Sequence, residues 1–156
     1  KSKEVHFMKK FMAMFLMAAM LANVASVAGA VSLGESKNFE IYVQCRNSNT
    51  YMDETDVHAH KDQDSDVKAI YVRHWVTGGS SSYTNHFRGR KYVGDGLVTC
   101  GTKWCTVGAN IPIQSNSIVG GNDYTIAGRG NTNHYDYDGV SNVTLHGNMY
   151  VNASYN

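Results

Sequence analysis

His58-Ala59-His60 sets two imidazoles one residue apart, and Asp62, Asp64 and Asp66 follow at the same alternating spacing. In an extended segment alternate side chains share a face, so either set could converge on one cation. The imidazoles suit a transition metal, with Asp53, Asp56 or Asp62 completing the shell. The carboxylates suit a harder divalent ion. The Asp run opens like a calcium loop, but Val67 stands where the loop needs Gly, and Arg73 where it needs a bidentate Glu. An EF-hand is thereby excluded. His58, His60, Asp62 and Asp64 remain candidate ligands for a loosely held divalent cation, against the plainer reading of a solvated acidic loop. No other cofactor is expected.

Motifs for catalysis are missing. Gly78-Gly79-Ser80 is not the G-x-S-x-G of a nucleophile elbow, and no helix pattern follows it. Neither H-E-x-x-H nor a phosphate-cradling G-x-x-x-x-G-K occurs. The sequence points to binding rather than turnover.

A stronger binding signal runs from Lys68 to Lys103. Lys68, Arg73, Arg88, Arg90, Lys91 and Lys103 face only one acidic residue, Asp95, and Tyr71, Trp75, Tyr83, Phe87, Tyr92 and Trp104 interleave with them. Cations among aromatic rings suit an anionic cell-wall polymer, a lipid headgroup or a carbohydrate, through charge and ring stacking. Tyr83 to Lys91 reads as loop-like, so Tyr83, Asn85, Phe87, Arg88, Arg90 and Lys91 are the candidate ligand-binding residues. Trp104 is expected in the core.

Three cysteines follow the N-terminal region: Cys45, Cys100 and Cys105. Cys100 and Cys105 flank Gly101-Thr102-Lys103-Trp104, and a four-residue loop would set them opposite each other at the neck of a hairpin, as a disulfide candidate. A turn at Gly101-Thr102 would separate them instead. Buried free thiols are the third alternative.

Tyr, Val, Thr and Ile are frequent, and Gly and Asn supply the turns between them, while Pro112 is the one proline. Phe39, Ile41, Val43 and Cys45 alternate with Glu40, Tyr42 and Gln44, and Ile70, Val72 and Val76 oppose Tyr71, Arg73 and Trp75. Val143, Leu145, Gly147, Met149 and Val151 form a third such set. Period-two patterns with turn signals roughly every ten residues predict an all-β fold, a small antiparallel sandwich of roughly seven to eight strands. Arg90–Cys100 and Lys103–Ala109 read as the arms of one hairpin, with Gly94-Asp95-Gly96 a bulge or a second turn. Val31 to Lys37 reads as a frayed linker.

Met8 to Ala30 has the build of a secretory signal peptide: Met8-Lys9-Lys10, an apolar run from Phe11 to Val24, then Ala28-Gly29-Ala30. Cleavage after Ala30 would export Val31 to Asn156 as a single domain, with no membrane span left behind. Lys1 to Phe7 reads as untranslated leader, because codons for Lys3-Glu4-Val5 can spell a bacterial ribosome-binding sequence before Met8. The exported part carries ten basic against twelve acidic side chains. That balance argues against general nucleic-acid binding.

Ser82-Tyr83-Thr84-Asn85, then Gly89 and Lys91, resemble a similar run in the lactococcin-type β-sandwich bacteriocins of Gram-positive bacteria. The resemblance covers about a dozen residues. It implies a small exported β-domain that interferes with cell-wall synthesis. The expectation is therefore a secreted, non-enzymatic protein that binds a cell-wall polymer or other envelope component. A structural or surface-adhering envelope protein and a secreted hydrolase are the alternatives.

Overall fold

The computed structural model describes residues 30–44, 53–78, 84–130 and 142–156. The chain divides into two units at Ala30/Val31, and the fold below is the second, Val31–Asn156. The proposed leader and nearly all of the signal peptide lie outside the described residues, as do Cys45 and Tyr83.

Eleven strands are described: β1 (Val31–Ser32), β2 (Ser36–Gln44), β3 (Asp53–Glu54), β4 (Ala59–Lys61), β5 (Ala69–Thr77), β6 (Thr84–Val93), β7 (Gly96–Thr106), β8 (Ile111–Gln114), β9 (Asn122–Arg129), β10 (Asn142–Tyr150) and β11 (Ser154–Tyr155). Seven of them are four residues or longer. One sheet runs β2-β10-β5-β8, and a second runs β3-β9-β6-β7 with β4 also on β9. All pairings are antiparallel. The all-β reading is correct, and short pairings at the margins bring the strand number above the expected seven or eight.

The inward set of each long strand is apolar. Phe39, Ile41 and Val43 of β2, Ile70 and Val72 of β5, and Val143, Leu145 and Met149 of β10 meet Phe87 of β6 and Tyr124 and Ile126 of β9 in one core. The Phe39 and Phe87 rings close across it edge to face at 5.9 Å. A buried aromatic of this kind stabilises the fold by about 3–5 kcal/mol against truncation to Ala. Gly147 shares the inward register of β10, opposite His74. A Cβ there would overlap the Arg73 carbonyl, so only glycine lets β10 and β5 approach this closely.

Three local readings change. Val31–Lys37 is not frayed: β1 pairs with β11, and Val31 and Leu33 pack beside Val67, Ala69, Tyr71 and Ala153. Of the expected loop Tyr83–Lys91, the described part from Thr84 on is not a loop, since Thr84 opens a ten-residue strand. The hairpin turn is Gly94-Asp95, with Val93 paired to Gly96 and Gly94 at φ 59. A two-residue loop of that twist favours glycine over any residue carrying a Cβ. The irregularity lies further along, where Gly89 pairs with Gly101 but Arg90 with Thr99. Cys100 is the extra residue of a bulge.

Lys61 and His74 are polar groups fully buried at structural joints. Lys61 Nζ donates to the Val151 carbonyl and to Ser65 Oγ, both at 2.6 Å, and the Ser65 hydroxyl donates to the Ala153 carbonyl at 3.0 Å. This ties the acidic loop to the C-terminal segment. Burial lowers the Lys61 pKa, against the raising influence of Asp66 and Asp62. His74 of β5 accepts a hydrogen bond at Nε2 from Asn85 Nδ2 of β6, 2.9 Å away, linking the two sheets through the core. Burial, and then the nearby His146, push its pKa down to about 4.

Unfolding would return His74 to its ordinary value of 6.5. Between those values the unfolded chain binds the extra proton, so stability falls as pH drops from about 6.5 to about 4, by about 3 kcal/mol. Urea midpoints measured across that window should decline steeply for the wild type. The decline should be shallower for His74→Gln, which cannot take up the proton.

Candidate binding face

In β6 the alternation assigns each candidate residue to a side. Asn85 and Phe87 are fully buried and belong to the core, so they leave the set of ligand-binding candidates. Inward and outward positions of a strand alternate, and the same rule turns His86, Arg88 and Arg90 to the outer face. Lys91 is half-buried, and Tyr83 lies outside the described residues.

The outer face gains its shape from the neighbours of β6. Trp104 of β7, His86 of β6 and Arg129 of β9 stand in one row across three strands, followed by Thr102, Arg88 and Ala127, then Thr99, Arg90 and Thr125. Trp104 is 45% exposed, which corrects its expected place in the core. Position parity explains it: Cys105 points inward, so its neighbour must point out. The His86 ring lies tilted against Trp104 at 4.8 Å, and the Arg129 guanidinium carbon sits 5.7 Å from the Trp104 ring centroid. Arg90 Nη2 donates to the Leu97 carbonyl at 2.9 Å, which holds it along the hairpin. Burial first, then the positive charges of Arg129 and Arg88, lower the His86 pKa. The ring is therefore neutral at pH 7, and the arginines carry the charge of this face.

Such a surface can receive an extended anionic ligand. Positive charge on this face suits phosphate or carboxylate, and the Trp104–His86 pair offers a flat apolar rest. Arg129 and His86 were not among the sequence candidates. His86 was legible in the alternation of β6, whereas Arg129 is far along the chain and joins only through the β6–β9 pairing.

The metal candidates separate. His58, His60 and Asp62 line an open pocket of about 510 Å³ with Glu35, Lys37, Asp123 and Asn152. Asp64 is not part of its wall. His60 Nδ1 is bonded to Asp123 Oδ1 at 2.8 Å, and the His58 ring packs edge-on to Tyr92 at 5.8 Å. Among the described residues no three His, Cys, Asp or Glu side chains converge as a metal shell. The two imidazoles are engaged with different neighbours.

Cys100 and Cys105 are free thiols on one strand, not two sides of a hairpin neck. Four intervening residues of extended chain hold them well beyond the reach of a disulfide. Both are buried, and burial raises their pKa to about 11 and about 12 respectively.

No protein-family model matches the chain. Neither a curated protein nor a solved structure is significantly similar to it.

Native thiol chemistry provides a check on this strand. In a Cys45→Ser variant at pH 8, Ellman's reagent should find essentially no reactive thiol until denaturant is added, and then two. Fast native reaction of either remaining cysteine would contradict the burial of β7's inner face.

Proposed function

We propose that the protein is secreted and acts by binding an anionic polymer of the Gram-positive cell envelope, without catalysis, through the outer face of the β6-β7-β9 sheet. The observation that carries this reading is the row Trp104–His86–Arg129 with Arg88 and Arg90 beneath it. Three arginines from two strands share this side of the sheet with an exposed indole, while Ala127 and Thr125 of β9 beside them are buried. The export signal in Met8–Ala30 supports an envelope target. The short likeness to lactococcin-type bacteriocins, at Thr84, Asn85, Gly89 and Lys91 of β6, favours an antagonist of related cells over a resident of the producer's own envelope.

Sedimentation of the purified protein with isolated cell walls tests the reading. Binding should weaken as salt rises from 50 mM to 500 mM, because exposed charge pairs are screened. Arg88→Ala combined with Arg129→Ala should lower affinity about tenfold, and Trp104→Ala a few-fold, in line with roughly 0.5–1 kcal/mol for each exposed cation or ring contact. Walls stripped of anionic polymer should retain little protein. Undiminished binding to stripped walls, or by the arginine double variant, would overturn the proposal. A growth-inhibition spot beside the same samples separates antagonist from envelope component.

A further inference from the structure

The opposite side of the sandwich carries a different chemistry. On the outer face of β2, β10 and β5 the register builds a regular grid: Tyr42, Thr144 and Thr77 in one row, Glu40, His146 and Trp75 in the next, then Asn38, Asn148 and Arg73. No position of this grid is aliphatic. Trp75 is 37% exposed and Tyr42 is 56% exposed. The indole is braced on the sheet, with the Arg73 guanidinium carbon 5.0 Å from its centroid and the His146 ring stacked at 6.4 Å and 23°. Arg73 is itself fixed, since its Nε donates to the Gly108 carbonyl at 2.9 Å. Asn148 Nδ2 donates to Asn38 Oδ1 at 2.6 Å, which leaves the Asn38 amide nitrogen and the Asn148 carbonyl oxygen as further hydrogen-bonding groups at this surface.

We propose that this face binds an uncharged glycan strand. The formal charges of Glu40 and Arg73 cancel, so the grid has no net attraction for a polyanion, in contrast to the arginine face. Sugar rings present flat C–H surfaces with hydroxyls around their rims. Trp75 and Tyr42 supply platforms for the first, and paired amides, hydroxyls and a carboxylate supply donors and acceptors for the second. Two strand spacings and one inward–outward repeat separate Tyr42 from Trp75, roughly 12 Å between backbone positions, a gap a short oligosaccharide bridges. A braced indole is already ordered before the sugar arrives, which removes part of the entropic cost of binding. This inference does not rest on the polyanion reading, because the two faces share no residue.

The chain has two tryptophans, so Trp104→Phe leaves Trp75 as the single reporter. Titration of that variant with chitotetraose, and separately with cellotetraose, should give a saturable change in Trp75 fluorescence with at least one of them. Affinity should be unchanged by 500 mM salt. In the otherwise wild-type protein, calorimetry should show a loss of about tenfold for Trp75→Ala and a few-fold for Tyr42→Ala, as removal of one stacking platform predicts. The inference is overturned by the lack of a saturable signal with both sugars, by binding that collapses in salt, or by full affinity in both the Trp75→Ala and Tyr42→Ala variants.

Discussion

The hydrogen bond between Asn85 and His74 ties the two sheets through a largely apolar core, and both outer faces depend on the strand registers it favours. Its two partners belong to different sheets, so their separation sets how the sheets face each other. Satisfying a buried amide inside a dry core is worth far more than its net gain on folding, because leaving it unpaired is costly. A one-residue slip of β6 would bring His86 inward and turn Asn85 and Phe87 to water. The same slip in β5 would bury Arg73 or Trp75. The bond therefore excludes the registers in which either face would be lost. Phe87 packs against the His74 ring at 4.8 Å, so the polar tie and the aromatic core resist displacement together.

Once the registers are fixed, the difference between the faces is a matter of which residues occupy outward positions. On β6, β7 and β9 these include Arg88, Arg90, Arg129 and Trp104. On β2, β5 and β10 a single arginine is matched by Glu40 and surrounded by amides, hydroxyls and rings. In antiparallel sheets the outward positions contribute less to the core than the inward ones. Chemistry can vary there without disturbing the core. The outer edge of β7 is protected by its bulge at Cys100 and by Lys103, devices that discourage another strand from pairing there.

The sequence was most legible where a strand is long, flat and apolar on alternate residues. β2 carries that pattern without interruption, β5 and β10 break it only at His74 and Gly147, and their inner faces are otherwise as expected. β6 was misread because its inward residues include Asn85 and Gly89, which carry no apolar signal, and its outward residues are long and cationic. Its strand character depends on partners on both sides. Trp104 was placed inside because large aromatics are commonly buried; the parity set by Cys105 decides otherwise. The hairpin could be drawn with a turn on either side of Cys100, and only the pairing of Val93 with Gly96 selects one. Lys61 reads as a surface cation in the sequence, since its acceptor, the Val151 carbonyl, lies ninety residues away along the chain.

Two differently made faces on opposite sides of one thin sandwich have a mechanical consequence. Packed sheets lie about 10 Å apart, and their outer faces point in opposite directions. One polymer strand cannot lie flat on both at once. A polyanion on one face and an uncharged glycan on the other would belong to neighbouring strands of a composite wall, with the protein between them. Each contact would raise the effective concentration of the other ligand at the second face, so modest affinities of the separate faces would combine into firm retention where both polymers are present. A wall containing only one of them would release the protein readily. With the two proposed ligands, selectivity for a composite surface would follow from geometry, without a strong contact at either face.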